Sequence, residues 1–187
     1  MDQNSHHKKA LDDQIRDSYG RVTYTYTTHQ KATARLVLKN KAIKYIQIAL
    51  SAISTGGIIG SLITNEYVLT CVGGLFATAL LVINLFFKEF NLSEEIKQHR
   101  IASDNLWCIR EQYISLLTDA SVLSSEEIVS RRDELQNKTC EIYKQSPKTD
   151  AKSYAAAQRS LKEEDEQYFS DAELDKMLPK SLRKSET

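Results

Sequence analysis

Two apolar runs lie almost back to back in the middle of the chain. The first, AIKYIQIALSAISTGGIIGSLI at 42–63, carries one charge, Lys44, near its start. The second, VLTCVGGLFATALLVINLFF at 68–87, carries none. A helix of about twenty residues is roughly 30 Å long, the thickness of a bilayer's hydrocarbon core. Only Thr64, Asn65, Glu66 and Tyr67 separate the runs. The pattern predicts a transmembrane helical hairpin, since two adjacent spans of this length without charge are rare in soluble folds. Glu66 is the sole formal charge across 45–87. A charge at the centre of a spanning helix costs roughly 2.5–3.5 kcal/mol, so Glu66 is expected at a water-facing turn.

Before the hairpin, Leu11, Ile15 and Tyr19 recur at helical spacing and predict a short amphipathic helix over 8–19. Gly20 is expected to interrupt it. Val22, Tyr24 and Tyr26 alternate with Arg21, Thr23 and Thr25, a period of two that predicts an extended connector. Thr27 and Gln30 have capping-box spacing, so a new helix is expected from about His29. With no Gly or Pro before Gly56, that helix runs into the first span.

After the hairpin, 87–120 contains no Gly or Pro, and Leu106, Ile109, Tyr113, Leu116 and Ala120 recur at steps of three and four. The second span is therefore expected to continue unbroken, forming a stalk beside the first helix. Ser124 with Glu127 predicts a capped helix over about 125–144, and Pro147 ends it in a turn. Residues 151–169 are helix-prone, and Ser170 with Glu173 caps a last short helix that ends before Pro179.

The expected fold class is all-α: a two-span transmembrane helical hairpin with long helices extending into a cytoplasmic helical domain. The expected division is an N-terminal cytoplasmic segment (1–28), a stalk with the hairpin (29–120), C-terminal cytoplasmic helices (121–179) and a disordered tail (180–187).

Charge sets the orientation. Lys31, Arg35, Lys39, Lys41 and Lys44 flank the first span, and Lys88, Lys97 and Arg100 follow the second, while the turn has no cation. The positive-inside rule then places both termini in the cytoplasm. The mean hydropathy of −0.42 would alone suggest a soluble protein, but it averages an uncharged middle with densely charged flanks. The first run lies too far from the N-terminus for a secretory signal peptide, and no lipidation signature is visible. Formal net charge is +0 with no long basic run, so direct nucleic-acid binding is not expected. Cys71, Cys108 and Cys140 are widely spaced and read as reduced thiols.

Small residues mark candidate packing ridges. Ala52, Gly56 and Gly60 recur every four residues in the first span; Gly73 with Ala77, and Gly74 with Thr78, do so in the second. Such ridges let helices approach closely, either within one hairpin or between protomers, and two ridges allow both. Gln47, Ser51 and Thr55, with Ser54, form a polar stripe. Hydroxyls there can bond back to their own helix, or the stripe can line a water-filled axis. Two spans cannot enclose a pore, so a lining requires a homo-oligomer.

His6, His7, His29 and His99 show no metal-ligand spacing, and no phosphate loop, nucleophile elbow or carboxylate pair stands out. No catalytic, cofactor or metal residue is nominated, and an enzyme is not expected. The competing reading is a non-conducting membrane anchor or scaffold for a cytoplasmic partner.

The order of features resembles a known family. THQKA at 28–32 and RLVLKNKAI at 35–43 lead into the Ser- and Gly-rich span; after the second span come RIASDNLWCIREQYISLLTD at 100–119 and EIYKQSPKTD at 141–150. Over roughly 29–154 this resembles the SLATT family, two-transmembrane proteins of prokaryotic conflict systems with some fungal relatives. The resemblance implies an antiviral effector in a bacterial inner membrane that forms pores and kills or arrests the infected cell. It also implies partners: nucleotide second-messenger synthases, nucleotide sensors or reverse transcriptases encoded nearby. No family site residues come with it. With no fused sensor, the signal is expected from a separately encoded partner or a small ligand.

Overall fold

A computed structural model describes residues 3–89 and 91–183. The elements are α1 (Gln3–Thr64), α2 (Tyr67–Glu89), α3 (Leu92–Asp119), α4 (Ser125–Gln145), α5 (Ala151–Lys162) and α6 (Asp171–Met177), then a 3-10 turn at Lys180–Leu182. No strand occurs among the described residues. The all-α expectation and the pair of long apolar helices both hold.

The first correction is at the N-terminal side. α1 is one helix of 62 residues, roughly 90 Å long, with neither a break at Gly20 nor an extended connector nor a new start at His29. Its buried positions Leu11, Ile15, Ser18, Val22, Tyr26 and His29 follow each other at steps of three and four and make one continuous face. Val22 and Tyr26 belong to that face as an i, i+4 pair, which an alternating run also contains. A glycine inside a helix costs about 1 kcal/mol against alanine, less than the neighbouring buried side chains contribute. Thr27 and Thr28 do not cap: their hydroxyls donate to the carbonyls of Thr23 and Tyr24, four residues back.

The second correction is at the exit of the hairpin. The expected unbroken helix over 87–120 is two helices. α2 ends at Glu89, and Asn91 is the N-cap of α3, its side-chain oxygen accepting from the Glu94 N–H at 3.2 Å. An asparagine needs no Gly or Pro beside it to start a helix, because its side chain satisfies an N–H that would otherwise be orphaned. Near the C-terminus, α4 has the expected capping box at Ser124 and Glu127. α5 stops at Lys162 instead of reaching Phe169. The acidic run 163–166 falls where a helix macrodipole is negative, which disfavours extension. Of the expected tail, Lys180–Leu182 form a 3-10 turn, and 184–187 lie outside the described residues.

α1 is the spine. Its N-terminal half runs antiparallel to α3, as Lys8 reaching Leu123, Tyr26 against Trp107 and His29 against His99 show. Its C-terminal half runs antiparallel to α2, with Gln47 opposite Asn84 and Gly57 opposite Gly73. The core of Leu11, Ile15, Val22, Leu106, Tyr113 and Ile128 joins α1, α3 and α4. α5 packs on α1 through Ser153, Ala157 and Ser160, one small-residue face at steps of four and three. At the far end, Asn65 adopts φ 57° and its N–H donates to the Ser61 carbonyl. Left-handed asparagine is a standard helix stop and lets the chain reverse in two residues.

Candidate functional site

The crossing of the hairpin is closest at two glycines. A Cβ added at Gly73 would lie 3.0 Å from the Ser54 carbonyl oxygen and 3.2 Å from the Ile58 nitrogen. One added at Gly57 would lie 3.1 Å from the Leu69 carbonyl oxygen and 3.2 Å from the Gly73 Cα. Of the ridge residues singled out in the sequence, Gly73 therefore lies in the contact between the spans. Gly60 is at its edge, with Leu69 at 3.5 Å. Gly56 and Gly74 look into open space, and Ala52 and Ala77 are exposed. Gly57, which sequence reasoning passed over, is the actual partner of Gly73. The adjacent pair of glycines in each span (56–57 and 73–74) was the available signal: one of each pair faces in and the other out.

The polar stripe also sits on this crossing. Gln47 donates to the Asn84 side-chain oxygen at 2.8 Å, tying α1 to α2. Gln47, Ser51 and Thr55 line one wall of an open cleft of about 720 Å³, with Asn84 and Leu80 on the other. Ser54 faces the other way and is buried against Gly73. Around this cleft the hairpin is apolar and bare: Leu62 and Ile63 are each 80% exposed, and Leu75 is 70% exposed.

Toward the bundle, α1 is gripped from three sides over 27–35. From α3, His99 presents its Nδ1 2.8 Å from the Nδ1 of His29 in a buried contact. One ring must donate and the other accept, so the accepting ring is neutral in this arrangement. Burial holds His29 down to about 4, and the neighbouring His99 pushes the same way. His99 is also lowered by burial, opposed by the carboxylates of Glu95 and Asp150. From the loop after α5, Glu166 pairs with Lys31 at 2.5 Å and Gln167 donates to the Thr27 hydroxyl at 2.9 Å. From α5 itself, Asp150 receives Arg35 at 2.6 Å and also caps the helix by accepting from the Ser153 N–H at 2.8 Å. These groups form no cluster of three or more metal-ligating side chains among the described residues. The sequence had marked His29 and His99 only as histidines without metal spacing; 70 residues of separation hid their contact.

Trp107 stacks obliquely on Tyr26 and lies under the Arg110 guanidinium, while Tyr113 is in the core, so both serve packing. The three cysteines are free and exposed.

The model of the SMODS and SLOG-associating 2TM effector domain family 4 matches residues 11–173. The chain belongs to this family, and the match extends beyond the 29–154 of the resemblance at both ends. No curated protein and no solved structure matches the chain. Within this family the two long apolar helices are the two transmembrane segments of an effector domain associated with conflict systems.

Proposed function

We propose that this two-transmembrane effector acts by assembling as a homo-oligomer in the bacterial inner membrane and opening a conducting path that kills or arrests the cell. Both termini lie in the cytoplasm in this reading. The supporting observation is the continuity of α1. One unbroken helix carries the gripped segment around His29 and Arg35, and then the polar positions Gln47, Ser51 and Thr55. A rotation imposed on the cytoplasmic end is thus transmitted to the polar wall without a joint. The second span lacks this coupling, because α2 and α3 are separated at Asn91. The lever is α1, and the return through α2 and α3 supplies the hinge.

Several hairpins with Gln47, Ser51 and Thr55 turned to a common axis would give water a polar surface. The outward glycines Gly56 and Gly74 leave room for close approach of neighbours. The trigger is a signal from a separately encoded partner, such as a nucleotide second-messenger synthase, a nucleotide sensor or a reverse transcriptase, acting on α3 to α5.

The test is activated expression in cells carrying a membrane-potential dye. The membrane should depolarise and growth should stop, and Ser51→Leu with Thr55→Leu should suppress both at unchanged membrane levels. Full toxicity in that double variant removes the lining. No depolarisation under a verified trigger favours the non-conducting anchor.

A further inference from the structure

Two clefts in the hairpin adjoin. The larger is the one bounded by Gln47, Ser51 and Thr55; its apolar floor is Ile48, Ala52 and Leu80. The second, about 380 Å³, opens where the hairpin meets the bundle and is lined by Asn40, Lys44, Asn84, Lys88 and Ser93 among others. Lys44, Gln47 and Asn84 border both. No carboxylate lines either cleft. Lys44 and Lys88 come from facing helices at the same level, as the Gln47–Asn84 bond beside them shows. Neither lysine makes an ion pair among the described residues. Lys31 and Arg35 differ in having carboxylate partners on the C-terminal elements, and Lys39 and Lys41 line neither cleft. The N-terminus of α3 is already capped by Asn91.

The two clefts have the polarity of an amphiphile. Lysines and amides gather at the bundle end, and an apolar trough leads away from them into the spans. From Lys44 to Thr55 along α1 is roughly 16 Å at 1.5 Å per residue, about the depth of one leaflet of a ~30 Å hydrocarbon core. Two ammonium groups without protein counter-ions, at the level of the headgroups, complement one phosphodiester.

We infer that this joint cleft binds one anionic phospholipid of the leaflet next to the bundle, with its phosphate between Lys44 and Lys88 and an acyl chain along Ile48, Ala52 and Leu80. The inference rests on the membrane placement of the hairpin and not on conduction. A lipid chain and a water-filled axis exclude each other from the same cleft, so the lipid-bound form is the closed one.

The experiment is native mass spectrometry of the purified full chain in mild detergent. The probes are phosphatidylglycerol and phosphatidylcholine of identical acyl chains. One phosphatidylglycerol per protomer should be retained and phosphatidylcholine should not. Lys44→Gln with Lys88→Gln should lower that retention roughly tenfold or more. Lys44→Arg with Lys88→Arg should keep it, which also shows that substitution there leaves the fold intact. Lys39→Gln with Lys41→Gln, the same loss of charge outside the cleft, should leave it unchanged. Equal retention of the two lipids overturns the inference. So does an equal loss in the Lys39/Lys41 variant, which would mean diffuse surface charge. Full displacement by millimolar inorganic phosphate would make the cleft a free-phosphate site and overturn it as well. None of these readings involves conductance, so failure here and failure of the conducting reading are separate results.

Discussion

The helical bundle and the hairpin are built on the same helix, and both are antiparallel pairings against it. Their apolar side chains nevertheless go to opposite places. In the bundle, Ile15, Leu106, Tyr113 and Ile128 are at most 1% exposed. In the hairpin only 11% and 6% of the most apolar stretches of the two spans are buried, and the closest approach of the helices is the crossing at Gly57 and Gly73. The bundle solves its hydrophobic problem internally. The hairpin leaves it to the surroundings, at a cost of roughly 1.5–3 kcal/mol in water for each large apolar side chain left bare. Hydrocarbon or another copy of the chain removes that cost. A soluble core hairpin would show the reverse distribution.

The largest test of this contrast compares equal truncations in the two regions. Leu106→Ala opens a void in a packed core and should cost about 2–5 kcal/mol of bundle stability. Leu75→Ala, on the bare face of α2, should change it by less than about 0.5 kcal/mol. Guanidinium unfolding in detergent, followed by the fluorescence of Trp107, reads both. Equal effects would mean that the hairpin has an internal core after all.

The bundle also carries the stronger pH dependence. Folded His29 titrates at about 4 and an unperturbed histidine at 6.5. Between those values the unfolded chain binds a proton that the folded one refuses. The contribution is therefore complete above pH 6.5 and is lost as pH falls toward 4, amounting to about 3 kcal/mol. His99, lowered by the same burial, adds in the same direction. Unfolding free energies at pH 7 and pH 4.5 should show the loss. His29→Gln with His99→Gln should flatten it, since an amide pair can hydrogen-bond without titrating. An unchanged slope in that variant would assign the acid sensitivity to other groups.

Much of this architecture was legible before the fold was known, and the misses have two causes. The spans were plain because twenty uncharged residues admit few alternatives, and the Ser124 and Ser170 caps because a capping box is local. The break expected at Gly20 failed because local preference was read without its tertiary partner, and the helix expected through Asn91 failed because a local cap was passed over. The face of α1 that overrides Gly20 exists only against α3 and α4. The His29 pair and the Arg35–Asp150 bridge join residues 70 and 115 positions apart in sequence, so spacing could not have revealed them.

Within the hairpin, the inward and outward glycines should separate. Gly73→Ile forces a side chain against the Ser54 carbonyl and Ile58, an overpacking of about 1–3 kcal/mol that should open the pair. Gly74→Ile points into open space and should leave the pair intact. A disulfide between cysteines placed at Gln47 and Asn84, which face each other, reports the pairing: its yield should fall for Gly73→Ile and hold for Gly74→Ile. If Gly74→Ile instead reduces the size of crosslinked oligomers while the disulfide forms normally, the outward face is the contact between protomers. Loss of the disulfide in both variants would deny the division into two faces.

The smallest effect lies where the two regions meet. Arg35 and Asp150 are 43% and 56% exposed, so solvent screens their bridge to no more than about 1 kcal/mol. Asp150 has a second role, for the Ser153 N–H, and then Arg35, hold its carboxyl below the usual range. Its contribution is thus present at neutral pH and lost as the pH falls through the carboxylate range. Asp150→Ala removes a helix cap as well as the bridge and should cost about 1 kcal/mol more than Arg35→Gln, which removes the bridge and the donation to the Ser153 hydroxyl but leaves the cap. Hydrogen exchange over 151–162 should rise modestly in Arg35→Gln and several-fold in Asp150→Ala, while amides of the buried α3 core stay protected. If α1 is the lever of a gated effector, loosening α5 from it should also lower the signal needed for growth arrest. Faster exchange with an unaltered threshold would leave α5 as packing and move the point of control to the His29–His99 contact.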